Sequence, residues 1–515
     1  MYHRYMSTDA STFKRTKIIA TIGPASEEKL ESLLGAGVNG VRLNLSHNTH
    51  AWHANVIKKS REAAKKLDRS VAVIADLQGP KIRLGVLSSK TVELQAGQKI
   101  VFCTDNKCAD GHLPIQYDFT HLVKKGDSIM LRDGTIESRV ISTANKQITA
   151  EVLNSGKVSS NHGINLPDTV FDSKEILTPK DMTDLEFVYQ NDVDYVALSF
   201  VQTANDIKHL RTLLANNKSQ AKIIAKIETR TATKNLEEIV AATDAVMIAR
   251  GDLAVETSNE DVPLIGREII QLARTYKKPV IMATQMLESM ISSPQPTRAE
   301  VNDIASAVSL GVSCVMLSGE TAAGQYPLQT VQLMKRVILK TESYYAQNRL
   351  EIDFIPENGK GSAELPVDYS QQVGIVKRMV TSSRKLLGKP ISAGKLATTD
   401  AQTSVSMAAI TLAEQVGAKI ILAETLTGST ALSIAALRPP VPVIIASPNK
   451  TVCNQMALVW GGKPYLVSKK QHVSSGIIKK LIAQKKLKHG DWVVQAFGTQ
   501  SNVVGGTDTV RLLEI

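Results

Sequence analysis

Short apolar runs rich in β-branched residues recur along the chain, each followed by a longer polar-amphipathic stretch. The runs are Lys17–Ile22, Val38–Leu43, Ser70–Asp76, Tyr195–Phe200, Lys222–Ile227, Asp244–Ala249, Pro279–Thr284 and Ser313–Ser318. They are apolar on successive residues rather than alternating, which predicts strands buried on both faces. Between them, Glu27–Leu34, Ala51–Lys66, Thr203–Leu214, Val262–Thr275 and Arg298–Ser309 carry helical periodicity, and Leu328–Tyr345 closes the series. Strand then helix, repeated about eight times, is the rhythm of a (β/α)8 TIM barrel. A doubly wound open sheet has the same alternation, but no glycine fingerprint follows the first run to favour a dinucleotide fold.

The rhythm breaks once. On the order of a hundred residues separate the third run from the fourth, too many for a connecting loop. Much of that stretch alternates with period two and carries turn signals at Ala96-Gly97, Lys125-Gly126-Asp127, Asp133-Gly134 and Asn154-Ser155-Gly156. It predicts an all-β lid domain inserted over 86–166, with the barrel formed by 1–85 and 167–349. The polar, glycine-rich segment Pro356–Ser362 reads as a linker. Beyond it, the helical stretch Ala401–Val416 and the apolar runs Lys419–Ala423, Val441–Ala446 and Asp491–Ala496 predict a C-terminal α/β domain over 350–515.

Composition narrows the picture less. The 515 residues include 43% hydrophobic and 21% charged, which is ordinary for a globular chain and excludes a disordered or collagen-like one. The net charge of +12 fits nucleic acid, an anionic membrane surface or small anionic substrates alike. No nucleic-acid motif is present, and 4% aromatic residues leave few rings for stacking bases. The four cysteines, Cys103, Cys108, Cys314 and Cys453, form no CxxC pair, so neither a structural zinc nor a disulfide framework is expected. No apolar run approaches the ~18 residues of a membrane span. Met1–Arg15 is polar and reads as a loose tail, and the expected compartment is the cytoplasm.

A barrel places its chemistry where the strands end. There the sequence has Arg42-Leu43-Asn44-Leu45-Ser46-His47, Asp76 through Arg83, Lys226-Ile227-Glu228, Arg250-Gly251-Asp252 and Ala283-Thr284-Gln285. Lys226 and Glu228 are two apart, so an extended strand points them the same way. Glu228 and Asp252 end neighbouring strands, and two hard carboxylates suit Mg2+. Arg42, Arg83 and Lys226 supply positive charge for phosphate or carboxylate. Each alone reads equally well as a satisfied ion pair at the rim; the whole set on one rim does not.

These segments resemble pyruvate kinase. So do Thr21-Ile22-Gly23-Pro24-Ala25-Ser26, Ala283 through Met290, Pro296-Thr297-Arg298-Ala299-Glu300 and Met316 through Ala322, in order along the chain. The resemblance implies phosphoryl transfer from phosphoenolpyruvate to ADP, giving pyruvate and ATP. It implies Mg2+ on Glu228 and Asp252, with Mn2+ able to substitute. Lys226, Thr284 and Arg42 would be catalytic, and Arg42, Lys226, Gly251, Asp252 and Thr284 would bind substrate. Asn44, His47 and Arg83 would face the nucleotide. A homotetramer is usual in the family.

Three departures change what the resemblance implies. Potassium-dependent members carry Asp-Thr-Lys-Gly-Pro-Glu where this chain has Asp76-Leu77-Gln78-Gly79-Pro80-Lys81. Lys81 puts an ammonium where the pattern has a carboxylate, so K+ is not expected to be required, although Asn44, Ser46 and Asp76 remain of that site. In the lid, His162 stands where the family has a lysine, with Lys157 a possible substitute. In the C-terminal domain, Thr425, Thr427, Gly428, Ser429 and Thr430 precede a helix like the family's phosphate cradle for a sugar-phosphate effector, but Ser429 replaces a frequent arginine. Two other readings compete: a Mg2+-dependent lyase or aldolase acting on pyruvate, which has no use for Lys226 or the lid, and a non-catalytic binding protein prompted by the charge.

Overall fold

In the computed structural model of the chain, residues 13–104, 108–109, 111–144, 146–171, 176–347, 401–468, 473–498 and 507–515 are described. Eight parallel strands close a barrel: β1 (Lys17–Thr21), β2 (Gly40–Asn44), β3 (Ala72–Asp76), β4 (Tyr195–Leu198), β5 (Lys222–Ile227), β6 (Ala245–Ala249), β7 (Val280–Ala283) and β8 (Cys314–Leu317). Each pairs with its sequence neighbour, and Lys17 opposite Cys314 closes the ring. All five residues of β1, β3 and β6 are buried, which is why their sequences run apolar without alternating. The surrounding helices start where threonines cap them. Thr178, Thr203 and Thr297 each form a reciprocal capping box with an acid three residues on.

The inserted unit has its own core and a seven-stranded sheet. Its strands alternate buried and open positions, as in Gln147–Val152. The sheet begins at Ile82–Arg83, which pairs with Gly163–Asn165, so the chain enters and leaves the lid side by side. Cys103 and Cys108 are joined as a disulfide at the end of one lid strand, a single bond where none was expected.

The C-terminal sheet runs β11 (Gly462–Leu466), β10 (Val443–Ser447), β9 (Ile420–Glu424), β12 (Trp492–Phe497), β13 (Thr509–Glu514). The first four are parallel and β13 is an antiparallel edge. Sequence reading found only the three central strands. The outer two escape it because β11 carries Pro464 and β13 is half-exposed on both faces. The linker at Pro356–Ser362 lies outside the described residues.

The C-terminal domain closes the foot of the barrel. Ala457 and Leu458 join the barrel's inner layer with Ile19, Ile74, Ile224 and Ile281. Tyr195 donates from its hydroxyl to Gln455 O at 3.0 Å, and Lys17 Nζ donates to Gly462 O at 2.7 Å. The approach is so close that a Cβ on Gly40 would lie 2.9 Å from Leu458 Cδ2. The end of the expected loose tail is also tied down. Arg15 donates from its backbone N to Glu342 Oε2 at 2.8 Å and from Nη2 to Pro440 O at 2.7 Å.

Leu458 is fully buried in that plug. Leu458→Ala is expected to cost about 2–5 kcal/mol, the range for a large-to-small core change. Urea unfolding checks it, and a cost near zero would mean the plug is not packed into the barrel.

Candidate active site at the barrel mouth

Because the strands are parallel, their C-terminal ends share one rim. Asp76 ends β3 and is buried there. Its Oδ2 lies 2.6 Å from Arg42 Nε, and its Oδ1 lies 3.2 Å from Lys226 Nζ. Lys226 also lies 2.9 Å from Glu228 Oε1 and donates to Ser199 Oγ at 2.7 Å. Ser199 donates in turn to Leu77 O at 2.7 Å, and Arg42 Nη1 donates to Thr21 Oγ1 at 3.1 Å. The second Glu228 oxygen accepts Phe200 N at 2.8 Å. The ends of strands one to five thus contribute to one hydrogen-bonded set.

The electrostatics follow from burial and pairing. Burial alone would pull the Lys226 ammonium down, but Asp76 and then Glu228 outweigh it and hold its pKa above the ordinary lysine value. Burial would raise Asp76, but Arg42 and Lys226 hold it below the usual carboxylate range. Glu228 is pushed up, by burial first and also by Asp252, with Lys226 opposing. Lys226 and the two carboxylates therefore sit buried, neutralised together with the partly buried Arg42, with Asp252 at the more open edge.

Thr284 follows β7 at φ 64°, and Gln285 follows at φ 52°. A β-branched residue in the left-handed region is strained, so something must hold it. Arg250 does: Nε donates to Ala283 O at 3.2 Å, Nη2 donates to Thr284 O, and Nη1 pairs with Asp303. The turn presents the Thr284 hydroxyl, which donates to Ala283 O at 2.7 Å and accepts Gly251 N at 3.0 Å.

Other candidates lie around this centre. Lys81 Nζ is 3.9 Å from Asp252 Oδ1, both about a third exposed, while the Asp76 carboxylate is shared by Arg42 and Lys226. Asn44 Oδ1 accepts Ser46 N at 3.2 Å, and His47 O bonds the His53 ring at 2.8 Å. Arg83 donates to Asn161 O at 3.0 Å, at the entrance to the lid. His162 accepts Ser159 N within its own turn, and exposed Lys157 lies 4.0 Å from Glu93. No group of three or more His, Cys, Asp or Glu fit to hold a metal occurs among the described residues. The two carboxylates Glu228 and Asp252, close enough to raise the Glu228 pKa, still fit Mg2+, which takes one or two carboxylates and fills its shell with water and substrate oxygens.

Far from the mouth, the loop after β9 is organised by its own hydroxyls. Thr425 Oγ1 accepts Gly428 N at 2.8 Å, and Thr430 and Thr507 share a hydrogen bond of 2.6 Å. Gln402 Nε2 donates to Ser429 Oγ at 3.2 Å. Gly428 sits at φ 95°, where a Cβ would also lie 2.6 Å from Met456 Sδ.

Sequence reading missed Ser199, Asp181 and Glu256, and it placed Arg250 at the rim without giving it a role. Asp181 was legible in principle: Thr178-Pro179-Lys180-Asp181 is a capping box, and its Oδ1 also accepts Gln78 N at 2.9 Å, bracing the loop after β3. Glu256 has no sequence signal. Its carboxyl lies between barrel and lid, accepts Asn165 Nδ2 at 3.2 Å, and borders a narrow crevice with Ile164, Phe171 and Phe200. Burial pushes it up to about 7.

Residues 13–331 match the family described as pyruvate kinase, barrel domain, and residues 403–513 match pyruvate kinase, alpha/beta domain. A pyruvate kinase of Agrobacterium vitis is 38% identical over 453 residues, covering 87% of this chain and 86% of that protein. A pyruvate kinase of Corynebacterium glutamicum is 34% identical over 509 residues, covering 97% of each. The crystal structure of a pyruvate kinase from Cryptosporidium parvum superposes with a TM-score of 0.84 at 30% identity, covering 99% of this chain and 97% of that one. No helix among the described residues is long and apolar enough to cross a membrane.

The Glu256 shift has a definite sign. A carboxyl raised in the folded state binds more protons folded than unfolded between its ordinary pKa and about 7, so its neutral form favours folding and stability falls as pH rises through that window. Glu256→Gln keeps an acceptor for Asn165 without the charge. It is expected to be more stable than the parent by about 1–3 kcal/mol above pH ~8, with the gain shrinking toward pH ~4. Thermal melts across pH check this; a pH-independent difference would contradict it.

Proposed function

The chain belongs to the pyruvate kinase family of phosphotransferases, and from that premise we propose how its own residues carry phosphoryl transfer from phosphoenolpyruvate to ADP. The observation that supports the reading best is Lys226, buried at the mouth and held as an ammonium by Asp76 and Glu228. Phosphoryl transfer needs positioning and charge neutralisation more than covalent chemistry. Arg42 and Lys226 bind the phosphoryl oxygens, and Lys226 follows the charge as the enol P–O bond breaks and the bond to the ADP terminal phosphate forms. Gly251, Asp252 and Thr284 face the substrate carboxylate. The Thr284 hydroxyl, already bonded on both sides, relays the proton that converts enolpyruvate to pyruvate. That protonation drives the reaction, because the enol is much less stable than the ketone. Asn44, His47 and Arg83 lie toward the nucleotide.

Glu228 and Asp252 are the residues that would hold Mg2+, or Mn2+ in its place. When bound, the ion neutralises substrate carboxylate and phosphate oxygens. K+ independence rests on protein charge: Arg42 and Lys226 both engage Asp76, and the Lys81 ammonium adds charge beside Asp252. We extend the family analogy to 86–166 as a lid, to 350–515 as a regulatory domain with an effector cradle at Thr425–Thr430, to a homotetramer and to a cytoplasmic enzyme. The lyase and binding-protein alternatives lose their basis with family membership.

The test is pyruvate formation from phosphoenolpyruvate, ADP and Mg2+ in K+-free buffer, followed by addition of K+. Full turnover before the addition is expected. Turnover only after it would keep the phosphotransferase and refute the role given to Lys81. Silence in both, with folded protein, would contradict the catalytic reading.

A further inference from the structure

The helix Pro179–Gln190 follows the lid and borders the loop after β2, where Asn44, Ser46 and His47 lie. Its start is fixed to the barrel. Asp181 closes the capping box with Thr178, and the same carboxylate accepts Gln78 N at 2.9 Å and Gly79 N at 3.2 Å. From there Lys180, Asp184 and Phe187 follow at helical spacing and form one stripe.

That stripe meets the loop after β2 and the helix His50–Lys66 that follows it. Lys180 Nζ donates to Leu45 O at 2.6 Å and to Asp184 Oδ2 at 2.6 Å. Asp184 Oδ1 lies 2.7 Å from His50 Nε2. The His50 ring stacks on Phe187, with centroids 4.9 Å and planes 14° apart. His53 packs against the same Phe187 at 6.2 Å and donates from Nε2 to His47 O at 2.8 Å. Burial lowers the pKa of His53, so its ring is neutral at pH 7 and its one proton is the one given to His47 O.

The loop is therefore held from outside itself. Lys180 takes Leu45 O, His53 takes His47 O, and between His47 and the helix Asn48 turns the chain at φ 61°. Asp184 is the centre of the set. Its side chain is 1% exposed, whereas those of Lys180 and His50 are 43% and 41% exposed. Two such open side chains are ordered weakly by surface pairing alone, but a buried carboxylate with one partner on each oxygen orders both.

We propose that Asp184 is a positioning residue for the nucleotide: through Lys180 and His50 it sets the loop Leu45–Thr49, and with it Asn44 and His47, toward a nucleoside diphosphate. The inference rests on the reading that turns Asn44 and His47 to the nucleotide. In that reading Arg42, Lys226 and Thr284 take phosphoenolpyruvate, and the Asp184 carboxylate bonds instead to Lys180 and His50. The two substrates are therefore expected to respond differently to its loss.

The test combines steady-state kinetics of the full chain, varying ADP and phosphoenolpyruvate separately, with calorimetric titration by ADP and Mg2+. Asp184→Asn keeps the size and one carbonyl oxygen but removes the charge. It is expected to raise KM and Kd for ADP at least ~10-fold, the loss of about one charge-assisted hydrogen bond, with KM for phosphoenolpyruvate within ~2-fold of the parent. His50→Ala is expected to act on the same constants in the same direction. The double variant should then lose less than the product of the two single effects, because both act through one contact. Thermal melts confirm that each variant is folded, and His50→Ala, at a partly exposed residue, carries the test if Asp184→Asn unfolds. Equal rises in both KM values, or a lower melting temperature with ADP binding unchanged, would overturn the proposal and make the contact structural only. A parent that binds ADP in an Asp184-dependent way but turns over no phosphoenolpyruvate would sink the catalytic reading and leave this inference standing.

Discussion

A carboxylate buried at the end of a barrel strand cannot stay ionised without positive charge against it, and Asp76 has two such charges. Each of its oxygens faces a different strand: Oδ2 meets Arg42 from β2, and Oδ1 meets Lys226 from β5. The same contact does three things. It fixes two long, otherwise mobile cations, keeps Lys226 protonated, and leaves the mouth close to neutral so that Glu228 can also be buried there. Removing one partner of such a set strands the other charges, so the group stands or falls together. The mouth is therefore pre-organised for anionic substrate before anything binds.

The opposite end of the barrel depends on packing. Met456–Leu458 enters from the C-terminal domain and completes the inner layer of the barrel. The same Met456 touches Gly428 in the loop after β9, at a position where no side chain would fit. One three-residue turn thus touches both the barrel interior and the candidate effector loop. Movement of that loop has a direct steric route to the barrel foot, with no intervening element.

The barrel was legible because strands buried on both faces leave continuous apolar runs, and because its chemistry gathers where those runs end. Lys226 and Glu228 could be paired from their spacing alone. Contacts made by backbone conformation were not legible. Nothing in Ala283-Thr284-Gln285 announces two consecutive left-handed residues, or that Arg250 would hold them. Ser199 looks like any polar residue at a strand end until Lys226 is seen donating to it. Lys81 is the telling departure, yet its carboxylate neighbour, Asp252, sits in the short helix Arg250–Glu256, about 170 residues away, and only folding brings them together. Edge strands such as β13, half-exposed on both faces, lack the signal that marked the interior ones.

The central claim is that Asp76 sets the charge and position of Lys226. The direct measurement is the pH dependence of turnover for Asp76→Asn against the parent, with thermal melts confirming the fold. If Asp76 does this work, turnover falls by at least ~100-fold, as for loss of a preorganised electrostatic group, and any alkaline loss of activity moves to lower pH. Unchanged turnover with an unchanged profile would contradict it.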